Sequence, residues 1–146
     1  MIRYKKITHN IRPLLPGLIK EIKADSEILF GYLFGSYGSC EDDKISPLSD
    51  VDIALYLKED LSDFYSKKLE LLELINRSLH TDEVDLVILN QAPVYLQFEI
   101  IKTGRLLFCR EPQKRISFQV KVIKSYLDAK PLRDLAQAAL LKRYGL

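Results

Sequence analysis

The stretch Gly35-Ser36-Tyr37-Gly38, followed by Ser49-Asp50-Val51-Asp52-Ile53-Ala54-Leu55, decides the fold of this chain. A continuous apolar run, Ile28 to Phe34, leads into Gly35 and predicts a buried strand that ends in a glycine–serine turn. We expect this turn to open a helix. Its free backbone N–H groups and the Ser36 hydroxyl would then form a cradle for phosphate.

Two aspartates, Asp50 and Asp52, stand two residues apart at the start of a second predicted strand, Val51 to Leu57. Because side chains alternate along a strand, both carboxylates should point to the same face of the sheet. Two such carboxylates repel each other unless a cation bridges them. Mg²⁺ usually binds through one or two carboxylates plus the phosphates of a substrate. The pair therefore predicts a magnesium site beside the phosphate cradle.

A third aspartate, Asp85, lies in an otherwise apolar segment, Val84 to Leu89, which predicts a third strand. If this strand neighbours the strand of Asp50 and Asp52, the three carboxylates converge. Three carboxylates facing a phosphate cradle are typical of metal-assisted phosphoryl transfer, with Asp85 placed to help deprotonate an attacking hydroxyl. Each motif alone has an ordinary structural explanation, such as a turn or a salt bridge. Their order on these predicted elements favours the catalytic interpretation.

Helical and strand periodicities alternate along the rest of the chain, which predicts an α+β architecture of α/β-like character. We expect a small mixed β-sheet flanked by helices, followed by C-terminal helices. Asn90 is expected to cap a helix that begins near Pro93 and ends at Gly104. Arg105 to Cys109 predicts a fourth strand, at the edge of the sheet. A long amphipathic helix is marked by Leu61, Tyr65, Leu69, Leu72, Ile75 and Leu79.

The segment from Pro112 onward is expected to be helical, with Pro131 ending one helix and a second helix following it. It is too short for a separate domain, so we expect one domain over residues 1–146. The core of that domain covers about 12–111, and 112–146 form a helical extension. One apolar face of the extension must pack on the sheet or on another chain, and it is formed by Ile116, Val120, Ile123 and Leu127.

The composition excludes several classes of protein. The 146 residues are 47% apolar and 29% charged, as expected for one globular domain with its own core. A net charge of +2 without a basic run gives no reason to expect direct nucleic-acid binding. Two cysteines and two histidines are too few for a zinc finger or a disulfide framework. Because we find no signal peptide and no membrane-spanning apolar run, we expect a cytoplasmic protein.

The motifs resemble those of the nucleotidyltransferase superfamily related to DNA polymerase β, in which a strand, Gly-Ser, a spacer and Asp-x-Asp precede a later strand aspartate. More narrowly, residues 32–37, 46–53 and 84–108 look like the minimal nucleotidyltransferases that act as MntA-type antitoxins of HEPN toxins. The resemblance covers about residues 12–111.

The resemblance implies a nucleotidyltransferase fold that uses ATP and Mg²⁺. It implies transfer of AMP to a tyrosine hydroxyl of a partner HEPN ribonuclease, which silences the toxin. It assigns nucleotide binding to Gly35, Ser36 and Ser49, and metal binding and catalysis to the three aspartates. The implied assembly is a complex with the toxin, and a homodimer stays open.

Two alternatives depend on other features of the chain. A small-molecule nucleotidyltransferase, of the kind that modifies antibiotic hydroxyls, usually has an added helical domain, which a second copy could supply here. A catalytically inactive antitoxin that acts by binding alone is favoured by the long, acidic spacer Tyr37 to Ser49. It is also favoured by Gly38-Ser39-Cys40, which stands where relatives often have Ala-Arg-Gly. The three retained aspartates argue for an active enzyme.

Overall fold

A computed structural model describes residues 10–39 and 50–145 of the chain. Four strands and five helices alternate in this part, and short 3₁₀ turns at Arg12–Leu14 and Leu89–Gln91 precede α1 and α4. The elements are α1 (Leu15–Lys23), β1 (Ile28–Phe34), α2 (Gly35–Ser39), β2 (Val51–Leu57), α3 (Phe64–Leu79), β3 (Val84–Ile88), α4 (Val94–Thr103), β4 (Arg105–Cys109) and α5 (Pro112–Arg143).

The four strands form one mixed sheet in the order β3-β2-β1-β4. β1 is antiparallel to both β2 and β4, whereas β2 and β3 run parallel. A parallel pair needs a crossover connection, and α3 provides it between β2 and β3. The predicted small mixed sheet, with β4 at one edge, is therefore confirmed.

Helices cover both faces of the sheet. On one face, the inward residues of β2 and β3 pack with Leu18 and Ile22 of α1 and with Leu71, Ile75 and Leu79 of α3. On the other face, a second apolar cluster joins the sheet to α4 and α5. Its fully or largely buried members are Leu29, Phe30, Tyr32, Ala54, Leu89, Ile100, Phe118 and Val122. We call these the α1/α3 face and the α4/α5 face.

The long amphipathic helix is confirmed as α3, but two residues of its predicted apolar stripe are exposed. Tyr65 and Leu69 face solvent, whereas Leu71, Ile75 and Leu79 are buried. Six residues, about 1.7 turns, separate Leu69 from Ile75, so the two side chains point to different sides of the helix.

The prediction that Asn90 caps α4 is wrong. Its side-chain oxygen accepts from the Leu57 N–H (2.9 Å), and its amide donates to the Leu57 carbonyl (2.8 Å). The amide thus satisfies both backbone groups of the last residue of β2. The residue preceding α4 is Pro93, which makes no side-chain cap.

The prediction that Pro131 separates two helices is also wrong, because α5 continues through it to Arg143. Proline removes one backbone hydrogen bond. Nearby, the Arg133 guanidinium donates to the Tyr126 carbonyl (3.0 Å) and lies 4.0 Å from the centre of the Tyr126 ring. Phe98 of α4 also stacks on the Tyr126 ring, with the two ring centres 3.8 Å apart. These contacts hold α5 in place just before the proline.

Within the described residues, no helix has the length and apolarity needed to cross a membrane.

Candidate nucleotide and metal site

The glycine–serine turn follows the end of β1 directly. Gly35 has a φ of +65°, a left-handed conformation that favours glycine. A Cβ at this position would overlap Oδ2 of Asp52. The short helix α2 then begins, as expected, but with five residues its dipole is small. Gly35 is therefore required both by the backbone conformation and by the close approach of the Asp52 carboxylate.

Asp52 and Asp85 occupy neighbouring positions on parallel strands. They are direct register partners between β2 and β3, and Asp52 is also the partner of Phe34 at the end of β1. Paired residues on adjacent strands point to the same side, with the strands about 4.8 Å apart. Asp52 is half-buried and Asp85 is exposed. The structure therefore brings Gly35, Asp52 and Asp85 together at one end of the α4/α5 face.

The remaining predicted site residues are placed less completely. Ser36 follows Gly35 in the turn and is half-buried, and Asp50 immediately precedes β2 and is also half-buried. Ser49 and most of the long, acidic spacer, residues 40–49, lie outside the described residues. In the described ranges, no three His, Cys, Asp or Glu side chains are grouped closely enough to hold a metal ion.

The donor set nevertheless fits a magnesium ion that arrives with a nucleotide. Mg²⁺ prefers oxygen ligands and commonly takes only one or two carboxylates from the protein, with substrate phosphates completing its coordination. Asp52 beside Asp85 supplies such carboxylates, and the turn at Gly35 leaves room next to Asp52 that any side chain would fill. A complete protein cage of three ligands is not needed for this kind of site.

Arg12 supports the turn from the N-terminal side of the chain. Its Nη2 donates to the Tyr37 carbonyl (3.1 Å), and its guanidinium lies 5.8 Å from the centre of the Tyr37 ring. Tyr37 itself is buried in the apolar cluster of the α1/α3 face. The sequence shows no sign of this role, because a contact between residues 25 positions apart leaves no local pattern.

Arg105 brings a second cation to the same end of the sheet. It begins β4 and is the register partner of Leu33, two residues before Gly35. The Arg105 side chain is exposed. Because register partners point to the same side of the sheet and Leu33 packs in the cluster of the α1/α3 face, Arg105 points away from the face that carries Asp52 and Asp85.

A large groove in the described part of the chain lies elsewhere. It has a volume of about 1130 Å³ and is lined by residues at the opposite end of β2, including Tyr56, Glu59, Asn90 and Phe118. Burial, and then the hydrogen bond to Glu59, raises the pKa of the Tyr56 hydroxyl. The groove contains none of the three aspartates, so it is distinct from the candidate site.

Comparisons with known proteins place these observations in a family. Residues 17–113 match the family model described as polymerase beta, nucleotidyltransferase. A comparison with curated protein sequences finds no match.

Solved structures of similar fold include three structures of toxin–antitoxins. A toxin–antitoxin with AMP-PNP is 25% identical, with a TM-score of 0.69, over 88% of this chain and 97% of that chain. A tri-AMPylated HEPN toxin in complex with an MNT antitoxin, from Shewanella oneidensis, is also 25% identical with a TM-score of 0.69, over 90% and 99%. The MntA–HepT toxin–antitoxin, 24% identical, shares the fold with a TM-score of 0.67 over 89% and 98%.

The family match covers more than half of the chain and includes every strand of the sheet. It also includes Gly35, Asp50, Asp52 and Asp85. The predicted resemblance and the predicted nucleotidyltransferase fold are both confirmed. This chain belongs to the polymerase β-like nucleotidyltransferase family.

Proposed function

We propose that this chain is the antitoxin of a HEPN-type toxin and silences it by transferring AMP from ATP to a tyrosine hydroxyl. The observation that carries the proposal is the approach of the Asp52 carboxylate to Gly35, with Asp85 as its register partner. The match to an MNT antitoxin in complex with a tri-AMPylated toxin supports the choice of acceptor. We propose that the chain acts in the cytoplasm, where ATP is available.

In the proposed site, Gly35, Ser36 and Ser49 hold the triphosphate. Ser36 offers its hydroxyl and the turn offers backbone N–H groups. Asp50 and Asp52 hold Mg²⁺, and Asp85 is the third carboxylate. When bound, Mg²⁺ would neutralise the triphosphate and favour displacement at phosphorus.

The reaction is a displacement at the α-phosphorus of ATP. The tyrosine oxygen forms a new P–O bond, the bond to the bridging oxygen breaks, and pyrophosphate leaves. The phenolic proton passes to a carboxylate, a role for which Asp85 is placed because it is exposed on the strand beside Asp52. The products are the AMP-modified toxin and pyrophosphate.

The test follows the two ends of ATP separately. The purified chain is incubated with Mg²⁺ and ATP labelled at either the α- or the γ-phosphate, with and without the HEPN protein encoded beside it. We expect label from the α-phosphate alone to appear on a tyrosine of the partner. Asp52→Asn should lower the rate by about 10²–10³-fold, since it removes a charge that acts on the transition state. Asp60→Asn, an exposed aspartate after β2, is the matched control.

Other outcomes separate the alternatives. A tight complex that forms without any transfer would mean an antitoxin that acts by binding alone, and would overturn the enzymatic proposal. Transfer to small hydroxylated acceptors, with none to the protein, would point to the small-molecule nucleotidyltransferase. Transfer that survives in Asp52→Asn would contradict the proposed metal site.

A further inference from the structure

The two halves of α5 have different surroundings. The first half packs on the α4/α5 face, where Phe118 and Val122 are buried and Gln119 donates to the Tyr32 hydroxyl (3.0 Å). Beyond Asp128 every described residue of α5 is exposed except Arg133, which is partly covered by Tyr126. We call residues 129–143 the C-terminal arm. The C-terminal arm therefore extends beyond the sheet and the other helices of the domain.

The arm is apolar on more than one side. Leu132 and Leu135 are 72% and 68% exposed, and Leu140 and Leu141 are exposed as well. Nine residues, two and a half turns, separate Leu132 from Leu141, so these leucines point to opposite sides of the helix. A helix with apolar residues around its circumference is normally buried. An isolated helix of about 15 residues is also marginal in water.

A second apolar surface on α5 leads into the arm. The stripe predicted from the sequence, Ile116, Val120, Ile123 and Leu127, is exposed, because the side of α5 that carries Phe118 and Val122 packs on the sheet. The 4-3-4 spacing of the stripe is that of helices which pack against other helices. Of the two partners expected for this stripe, the sheet and another chain, only another chain is left.

The charge of α5 indicates what kind of partner chain would cover the stripe and the arm. The helix carries eight basic residues and only Asp128 and Asp134 as acidic ones, although the whole protein is nearly neutral. Two copies of such a helix would repel each other. The stripe consists of four side chains, each already about half-covered, which is far less than the roughly 800 Å² per partner of a stable interface. A membrane-surface helix needs one apolar side opposite a charged one, unlike the arm.

We propose that the C-terminal arm is the docking element for the partner toxin. It inserts as a helix into a groove lined by apolar side chains and rimmed by carboxylates, and the stripe extends the contact toward the nucleotidyltransferase domain. The identity of the partner as the toxin rests on the proposed function. The arm then acts only on recognition of the acceptor protein, and the site at Gly35 and Asp52 acts on ATP.

The test compares Leu132→Ala combined with Leu135→Ala against Leu69→Ala. Leu69 is 50% exposed on α3 and serves as the matched control. Alanine keeps the helix, because it has the highest helix propensity. We expect the arm variant to weaken the complex with the HEPN protein by about 30-fold, as for loss of two anchoring side chains. The affinity for ATP with Mg²⁺, measured by calorimetry, and the rate at saturating partner should stay within about 2-fold.

Raising the salt concentration from about 0.1 M to about 1 M should weaken the wild-type complex, because basic and acidic surfaces are screened.

If the wild-type chain binds and modifies the partner, and the arm variant does so with the same affinity, the docking proposal is wrong and the proposed function stands. If the wild-type chain neither binds nor modifies the partner, the proposed function itself fails. Sedimentation of the chain alone gives a further check. If the chain alone is a dimer, and the arm variant dissociates it without changing the affinity for the HEPN protein, the proposal is wrong. A second copy of this chain would then be the occupant of the arm. The proposal would also be wrong if the arm variant lost binding of the chain to anionic vesicles or to RNA while its affinity for the HEPN protein stayed unchanged.

Discussion

The two faces of the sheet use alternate residues of the same strands in different ways. On the α1/α3 face, β2 contributes Val51, Ile53, Leu55 and Leu57, all fully buried. On the α4/α5 face, the residues between them are Asp52, Ala54 and Tyr56, of which only Ala54 is fully buried. Strand alternation thus places an uninterrupted apolar layer on one face and polar groups on the other.

The polar groups are confined to the two ends of the α4/α5 face. Asp52 and Asp85 lie at one end, beside the turn at Gly35, and Tyr56 with Glu59 lies at the other. Between them, α4 and α5 cover the sheet with apolar side chains. The difference between the faces indicates that the α1/α3 face supplies stability, and that the ends of the α4/α5 face are free to carry chemistry.

The largest effect should come from the α1/α3 face. Leu55→Ala removes a fully buried side chain and should lower the free energy of unfolding by about 2–5 kcal/mol. Urea unfolding followed by circular dichroism measures the change. Three residues away on the other face, Asp52→Asn should change the free energy of unfolding by less than about 1 kcal/mol. It should nevertheless lower the rate of AMP transfer by about 10²–10³-fold. If Asp52→Asn destabilised the fold as much as Leu55→Ala, the division of roles between the faces would be wrong.

An intermediate effect is expected at the end of β2. Asn90→Ala leaves the Leu57 N–H and carbonyl without the partners they have at 2.9 and 2.8 Å, which should cost about 1–3 kcal/mol. Gln91→Ala, at an exposed neighbouring residue, is the control and should be nearly neutral. Because Asn90 is far from Gly35 along β2, AMP transfer by the folded variant should be unchanged. A loss of transfer at full folding would show that the two ends of the sheet are coupled.

The features that follow from local pattern could be predicted from the sequence. The strand that runs into Gly35, the alternation that puts Asp52 on a polar side, and the apolar strand around Asp85 are all short-range signals. The parallel pairing of β2 and β3 then follows from the long helix between them, since such a crossover joins parallel strands. That pairing makes Asp52 and Asp85 register partners.

The features that depend on distant contacts could not be predicted. Asn90 stands where a helix cap is expected, but its side-chain amide binds the backbone N–H and carbonyl of Leu57, 33 residues earlier, instead. Pro131 is a helix breaker by propensity, but α5 continues where Tyr126 stacks on Phe98. α5 also has two helical stripes, and only the folded chain determines that Phe118, and not Val120, faces the sheet. In each case tertiary contact outweighs a local preference.

The smallest effect should come from the polar end opposite the site. The Tyr56 hydroxyl donates to Oε1 of Glu59 at 2.8 Å, and this hydrogen bond is the main cause that lowers the pKa of Glu59. A pKa lowered by folding stabilises the protein above the unfolded pKa of glutamate, about 4.3, and the contribution is lost as the pH falls through the folded value. Tyr56→Phe keeps the ring that stacks on Phe30 at 4.7 Å and removes only the hydroxyl.

Because Glu59 is largely exposed, the loss at pH 7 should be only about 0.5 kcal/mol. Urea unfolding at pH 7 and again near pH 3 measures it, and the difference from wild type should shrink at the lower pH. Tyr65→Phe, on the exposed side of α3, should show no difference at either pH. A deficit in Tyr56→Phe that stayed constant with pH would mean that the hydroxyl acts through packing and not through Glu59. Tyr56 would then count as part of the apolar cluster of the α4/α5 face. The only polar groups that distinguish this face from the α1/α3 face would be Asp52 and Asp85.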